Sequence, residues 1–74
     1  MIEMKPVQSR MIDAVGYDPE KEAIMVSFLK GKATWEYWPW PKETYDKLRT
    51  AQSVGIFFIE HIKHQSQHAR KKEE

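Results

Sequence analysis

The stretch Trp35-Glu36-Tyr37-Trp38-Pro39-Trp40-Pro41 limits what this chain can become more than any other. It packs four aromatic residues into seven positions and carries two prolines at its end. Aromatic side chains favour a pleated, half-buried strand, and a proline cannot donate to a ladder inside one. The run therefore reads as the last strand of a sheet. Upstream of it the apolar residues recur with a period of two, and downstream with the spacing of a helix. The chain divides into sheet first and helices second.

Taken in order, Met1 to Ser9 is an extended lead-in, with Pro6 opposing helix. Met11 to Tyr17 forms a first strand, in which Gly16 marks either a bulge or a close backbone approach. Asp18-Pro19-Glu20-Lys21 has the chemistry of a type I turn. Glu22 to Leu29 is the second strand, with Ile24, Val26 and Phe28 on one face. Its other face, Ala23, Met25, Ser27 and Leu29, is hardly polar, so the second helix or a partner is expected to cover it. Lys30-Gly31-Lys32 is a hairpin connection in which Gly31 takes a positive φ. Ala33 to Trp38 returns antiparallel as the third strand. Trp35 and Tyr37 share the core face, while Glu36 and Trp38 share the other.

Pro41 suits the first turn of a helix over Lys42 to Gln52, with Tyr45, Leu48 and Ala51 as its apolar stripe. Glu43 and Asp46 come early and Arg49 late, as the helix dipole prefers. Ser53 is the N-cap of a second helix whose buried face is Val54, Phe57, Phe58 and Ile62. Ile56 and Ile59 widen that stripe, which predicts cover on more than one side. The fold class is α+β: an antiparallel three-stranded β-meander followed by two α-helices packed on one face of the sheet. Residues 1–8 are the lead-in, 9–63 the domain, and 64–74 a basic polar tail that either continues the last helix or frays.

At 74 residues the chain is one domain near the lower size for unaided folding. It has no cysteine, hence neither disulfide nor thiolate metal site. Tryptophan burial and self-association are the remaining reinforcements. The net charge of +1 does not by itself point to a polyanion. The segment from His61 to Lys72, however, holds Lys63, Arg70, Lys71 and Lys72 and no acid. No stretch approaches the roughly 20 apolar residues of a membrane span, and no apolar leader opens the chain. A cytoplasmic protein without membrane contact is expected.

The motifs Trp35-Glu36-Tyr37, Pro41, Glu43, Tyr45 and Leu48, then Ser53, Gly55, Phe57, Phe58, Ile62 and Lys63, together resemble the KTSC domain family. That family is named after the C-terminal segment of some lysyl-tRNA synthetases and also occurs as small bacterial and phage-type proteins. Trp35-Glu36-Tyr37 is similar to its aromatic-x-aromatic motif, and Ser53 to Phe58 to its Ser-x-Gly-x-aromatic-Phe segment. Val15-Gly16-Tyr17-Asp18 fits its first strand and turn. The resemblance spans about Ser9 to Lys63. Two positions depart from the pattern: Ile59 stands where an asparagine is common, and Lys63 where an arginine is usual. The resemblance implies no settled activity, with RNA binding as the suggested role.

Trp38 and Trp40, at the strand end beside prolines, are the candidates for stacking on bases. Lys30 and Lys32 beside the hairpin glycine, with Lys63 and Arg70, are the candidates for phosphate contact. Against this stands the bland alternative of a solvated surface balanced by Glu20, Glu22, Glu36, Glu43, Asp46 and Glu60. Met25 and Leu29 are candidates for a homodimer or protein interface. His61, His64 and His68 would stack on one stripe of a continuous helix, but with no carboxylate or thiolate in register a metal role is not expected. No catalytic motif occurs. The expected function is a non-enzymatic, cofactor-free module binding RNA or other nucleic acid. The alternative is a protein-interaction or self-associating accessory module, of a kind found in phage or mobile elements.

Overall fold

Five antiparallel strands, rather than three, make up the sheet in the computed structural model, which describes residues 2–31 and 33–72. The strands are β1 (Lys5–Pro6), β2 (Ile12–Asp18), β3 (Ala23–Phe28), β4 (Thr34–Trp38) and β5 (His68–Lys72), and they lie in the sheet in chain order. Between β4 and β5 come α1 (Lys42–Arg49) and α2 (Val54–Phe57), the latter running on as a π-helical segment, Phe58–Lys63. The α+β class holds, with both helices after the central meander. Two expectations need correction. The lead-in supplies β1, and the basic tail does not continue the helix: His68–Lys72 returns antiparallel to β4 as β5. Among the described residues no helix is long and apolar enough to cross a membrane.

The core lies between the helices and one face of the sheet. Ile24 pairs with Tyr37 and Val26 with Trp35, so the period of two sends all four toward the helices. The Tyr37 ring meets Phe58 edge-on at 5.1 Å, and Phe28 meets Phe58 at 5.6 Å. Ile12, Val15, Leu48, Phe58 and Ile62 are all fully buried. Each such side chain contributes about 1.5–3 kcal/mol of transfer free energy. Ile12 and Val15 are three residues apart yet face the same way. A register shift between Ile12 and Ala14 makes that possible, because a bulge adds one residue and reverses the alternation.

Gly16 is therefore not the bulge. It is the place of close approach: a Cβ there would lie 2.7 Å from Met4 Sδ and 3.0 Å from the Glu3 carbonyl oxygen. The lead-in crosses the helix-free face of the sheet at this point. Gly16 pairs with Met25, and Met25 is only 4% exposed. Met25 is thus closed off within the chain itself, beside the place where the N-terminal segment lies over Gly16.

Local signals behave as their chemistry dictates. Asp18 Oδ1 accepts from the Glu20 amide at 3.0 Å to shape the β2–β3 turn. Gly31 has φ +80°, and the Phe28 amide donates to the Ala33 carbonyl at 2.9 Å across the β3–β4 turn. Ser53 Oγ accepts from the Ile56 amide at 3.3 Å, as an N-cap should. Ile56 and Ile59, however, are 58% and 37% exposed, so that helix is covered on its sheet side alone.

Candidate functional site

The helix-free face is where side chains with chemistry collect. Because β5 pairs with β4, its alternate residues line up with those of β4: Trp38 opposite His68, Glu36 opposite Arg70, Thr34 opposite Lys72. All six belong to the face away from the core. The Trp38 and His68 rings stack with centroids 5.4 Å apart and planes 24° apart. From that pair the face runs past Arg70 to Lys72, about 13 Å along the strand at roughly 3.3 Å per residue.

Glu36 sits at the centre and is 1% exposed. Its Oε1 accepts from Arg70 Nη2 at 2.8 Å and from Arg70 Nε at 3.2 Å. Lys21, on the β2–β3 turn, brings its Nζ to 3.8 Å from Oε2, within ion-pair range but beyond a hydrogen bond. Oε2 is itself buried and has no hydrogen-bond partner. Lys21, Glu36, Trp38 and Arg70 line a cleft of about 360 Å³. One buried carboxylate is thus flanked by two half-exposed cations and an indole. The local charge is net positive, so the cleft favours an anion at its rim. The indole offers a stacking surface beside it.

The residues singled out in the sequence fall into three groups. Trp38 and Arg70 meet in the cleft, although Arg70 is engaged with Glu36 rather than free. Trp40 is used internally instead. Its Nε1 donates to Ser66 Oγ at 2.7 Å, its amide to the Glu22 carbonyl at 2.7 Å, and its carbonyl accepts from the Tyr17 hydroxyl at 2.7 Å. This ties the end of the sheet to the end of the helical segment, so Trp40 is a brace and not a stacking platform. Lys30 is exposed on the β3–β4 turn, at the opposite end of β4 from Trp38, and Lys63 closes the helical segment on the other side of the sheet. Lys32 lies outside the described residues.

Of the proposed interface pair, Leu29 is 44% exposed, whereas Met25 is buried within the chain and offers little surface to a partner. The exposed apolar residues gather elsewhere: Ile56 and Ile59 line a second groove of about 470 Å³ with Arg10, Met11 and Ser53. The histidine stripe does not form, because the helix ends before His68. His61 packs on Phe57 and His68 on Trp38. Among the described residues no group of three or more His, Cys, Asp or Glu stands together as a metal site.

Sequence reasoning named Lys72 only within the basic segment and missed Glu36, Lys21 and His68 as partners of one site. The one available signal was an acid on the same sheet face as Met25 and Ala23, where a charge is costly unless paired.

Residues 8–65 match the family model described as KTSC domain. A protein of Tsukamurella paurometabola is 43% identical over 54 residues, which are 73% of this chain and 79% of that one. The crystal structure of a KTSC domain protein from Yersinia pestis is similar with a TM-score of 0.89 and 29% identity, over 99% of this chain and 100% of that chain. That likeness extends beyond the family match to take in nearly the whole sheet.

Proposed function

The chain belongs to the KTSC domain family, and on that premise we propose that it is a small non-enzymatic module that binds single-stranded RNA on the β4–β5 face. One observation carries the reading: the pairing of β5 with β4 lines up Trp38 and His68 with Arg70 and Lys72 on a face that the helices leave open. Single-stranded nucleic acids are held by aromatic rings that take bases and cations that track the phosphates, and this face has both in register. The length of the row suits two or three nucleotides. The module acts in the cytoplasm and uses no cofactor.

The reading shifts the expected contacts. Trp38, Arg70, Lys72 and Lys21 replace Trp40, Lys30 and Lys63 as the principal ones. Titration of a short unstructured RNA, followed by tryptophan fluorescence, tests it. Trp38→Ala removes a stacking contact worth about 1–3 kcal/mol and weakens binding about 5- to 150-fold. Lys72→Glu weakens it further at low salt. Unchanged affinity in both variants contradicts the reading.

The second reading is a protein-interaction module. The observation favouring it is the groove beside Ile56 and Ile59, exposed apolar surface with a basic rim at Arg10. Self-association through this groove raises the mass in light scattering, and Ile56→Glu lowers it again.

A further inference from the structure

The cleft on the open face contains a feature that phosphate binding alone does not use: the orphaned oxygen of Glu36. Its side chain is 2% exposed, and Oε2 is buried without a hydrogen-bond partner. A buried carboxylate oxygen left without a donor is costly, and native chains seldom retain one without a use. Arg70 is committed to Oε1 through both of its contacts, and Lys21 stops at 3.8 Å from Oε2. The missing partner is therefore an N–H or O–H donor arriving from the cleft.

The surroundings narrow what brings that donor. A free cation is disfavoured, because Lys21 and Arg70 outnumber the single carboxylate. The incoming donor is neutral, and an anion attached to it suits the two cations at the rim. Trp38 lines the same cleft, so a flat ring carrying the donor can lie against the indole. A neutral N–H donor on a flat ring, tethered to an anion, describes an amino-bearing nucleotide.

We infer that the Lys21–Glu36–Trp38–Arg70 cleft is a base-reading subsite that accepts an unpaired nucleobase with an exocyclic amino group. Adenine, cytosine and guanine qualify, and uracil does not. The inference rests on the RNA-binding reading of this face and adds a base preference to it. The amino group donates to Glu36 Oε2, the ring lies on Trp38, and the adjacent phosphate meets Arg70 or Lys21. A carboxylate accepting from the N4 amino group of cytosine is a known direct contact. Uracil has no exocyclic amino group, and its one edge donor, N3–H, sits between two carbonyl oxygens that the carboxylate repels.

The test compares oligocytidine and oligouridine of equal length with the unaltered protein at one salt concentration, read by tryptophan fluorescence. Oligocytidine binds about 5-fold or more tightly, the lower end of what one good base contact discriminates. Glu36→Gln then removes or reverses the preference. The amide oxygen satisfies Arg70, and its NH₂ turns into the cleft as a donor that suits uracil. Thermal unfolding of the variant establishes that it is folded. Oligoadenosine against oligo(purine riboside), which lacks the amino group, repeats the comparison without altering the protein. If RNA binds with equal affinity for all sequences, the base-reading subsite is wrong and the RNA-binding reading survives. If no RNA binds, both fall.

Discussion

Glu36 and Arg70 are separated by 34 residues and hold each other in place across β4 and β5. The burial is unequal: the Glu36 side chain is 2% exposed and the Arg70 side chain 63%. Water screens the arginine, so the attraction is worth less than in a fully buried pair. Removing the arginine is another matter, because it leaves a buried carboxylate with no hydrogen-bonded partner. Arg70→Ala is expected to destabilise the fold by about 2 kcal/mol in urea unfolding. Replacing both residues with leucine returns most of that loss. An Arg70→Ala midpoint equal to that of the parent contradicts the pairing. Tyr37 gives a second residue-scale expectation. Burial raises its phenol above the ordinary 10.0. The unfolded chain then ionises first, so stability is intact below pH 10.0 and falls as pH rises above it. Tyr37→Phe has a shallower alkaline decline, read as the slope of unfolding free energy against pH.

At the scale of elements, the central meander and the helices were legible and the two outer strands were not. Ile24, Val26 and Phe28 alternate cleanly, and Val54, Phe58 and Ile62 repeat with helical spacing, so each element announced its buried face. β1 is two residues long, and no pattern can be read from two residues. β5, His-Ala-Arg-Lys-Lys, is exposed throughout and contains no β-branched or aliphatic side chain larger than alanine. It is a strand because β4 offers it an edge, a tertiary cause invisible to local propensity. Its lysines also guard that edge against further pairing. The site depended on β5, so the site was illegible too: Trp38 was visible alone, but the register that sets it beside His68, with Arg70 and Lys72 following, was not. The lead-in is open to a direct test. Gly16→Val places a side chain where Met4 and the Glu3 carbonyl now lie, and the lead-in must lift. Faster hydrogen exchange at the Val7 amide, which donates to the Asp13 carbonyl at 3.2 Å, reports it. Unchanged exchange there means that the lead-in does not depend on the bare Gly16 surface.

The whole molecule has two different sides. Helices seal one face of the sheet, and the lead-in lies over the other at Gly16. What stays open is the β4–β5 end, where a stacked pair of aromatic rings is followed by cations beside one buried acid. The Trp35–Trp40 run that dominates the sequence is thereby split by the pleat. Trp35 and Tyr37 serve the core, Trp40 braces the sheet end to the helical segment, and Trp38 faces out. The division between core and outer face was readable from the alternation alone. The separation of Trp38 from Trp40 required the bonds from Trp40 to Glu22 and Ser66. If this open end takes single-stranded RNA through phosphate contacts at Arg70, Lys72 and Lys21, its affinity for a short oligocytidine depends on salt, and a titration across a range of salt concentrations measures that dependence. Two to three phosphate contacts predict that log K falls linearly with log salt, with a slope of about −1.4 to −2.1, made shallower by about 0.7 in Lys72→Ala. Affinity that does not change with salt, or no binding at the lowest salt, contradicts it.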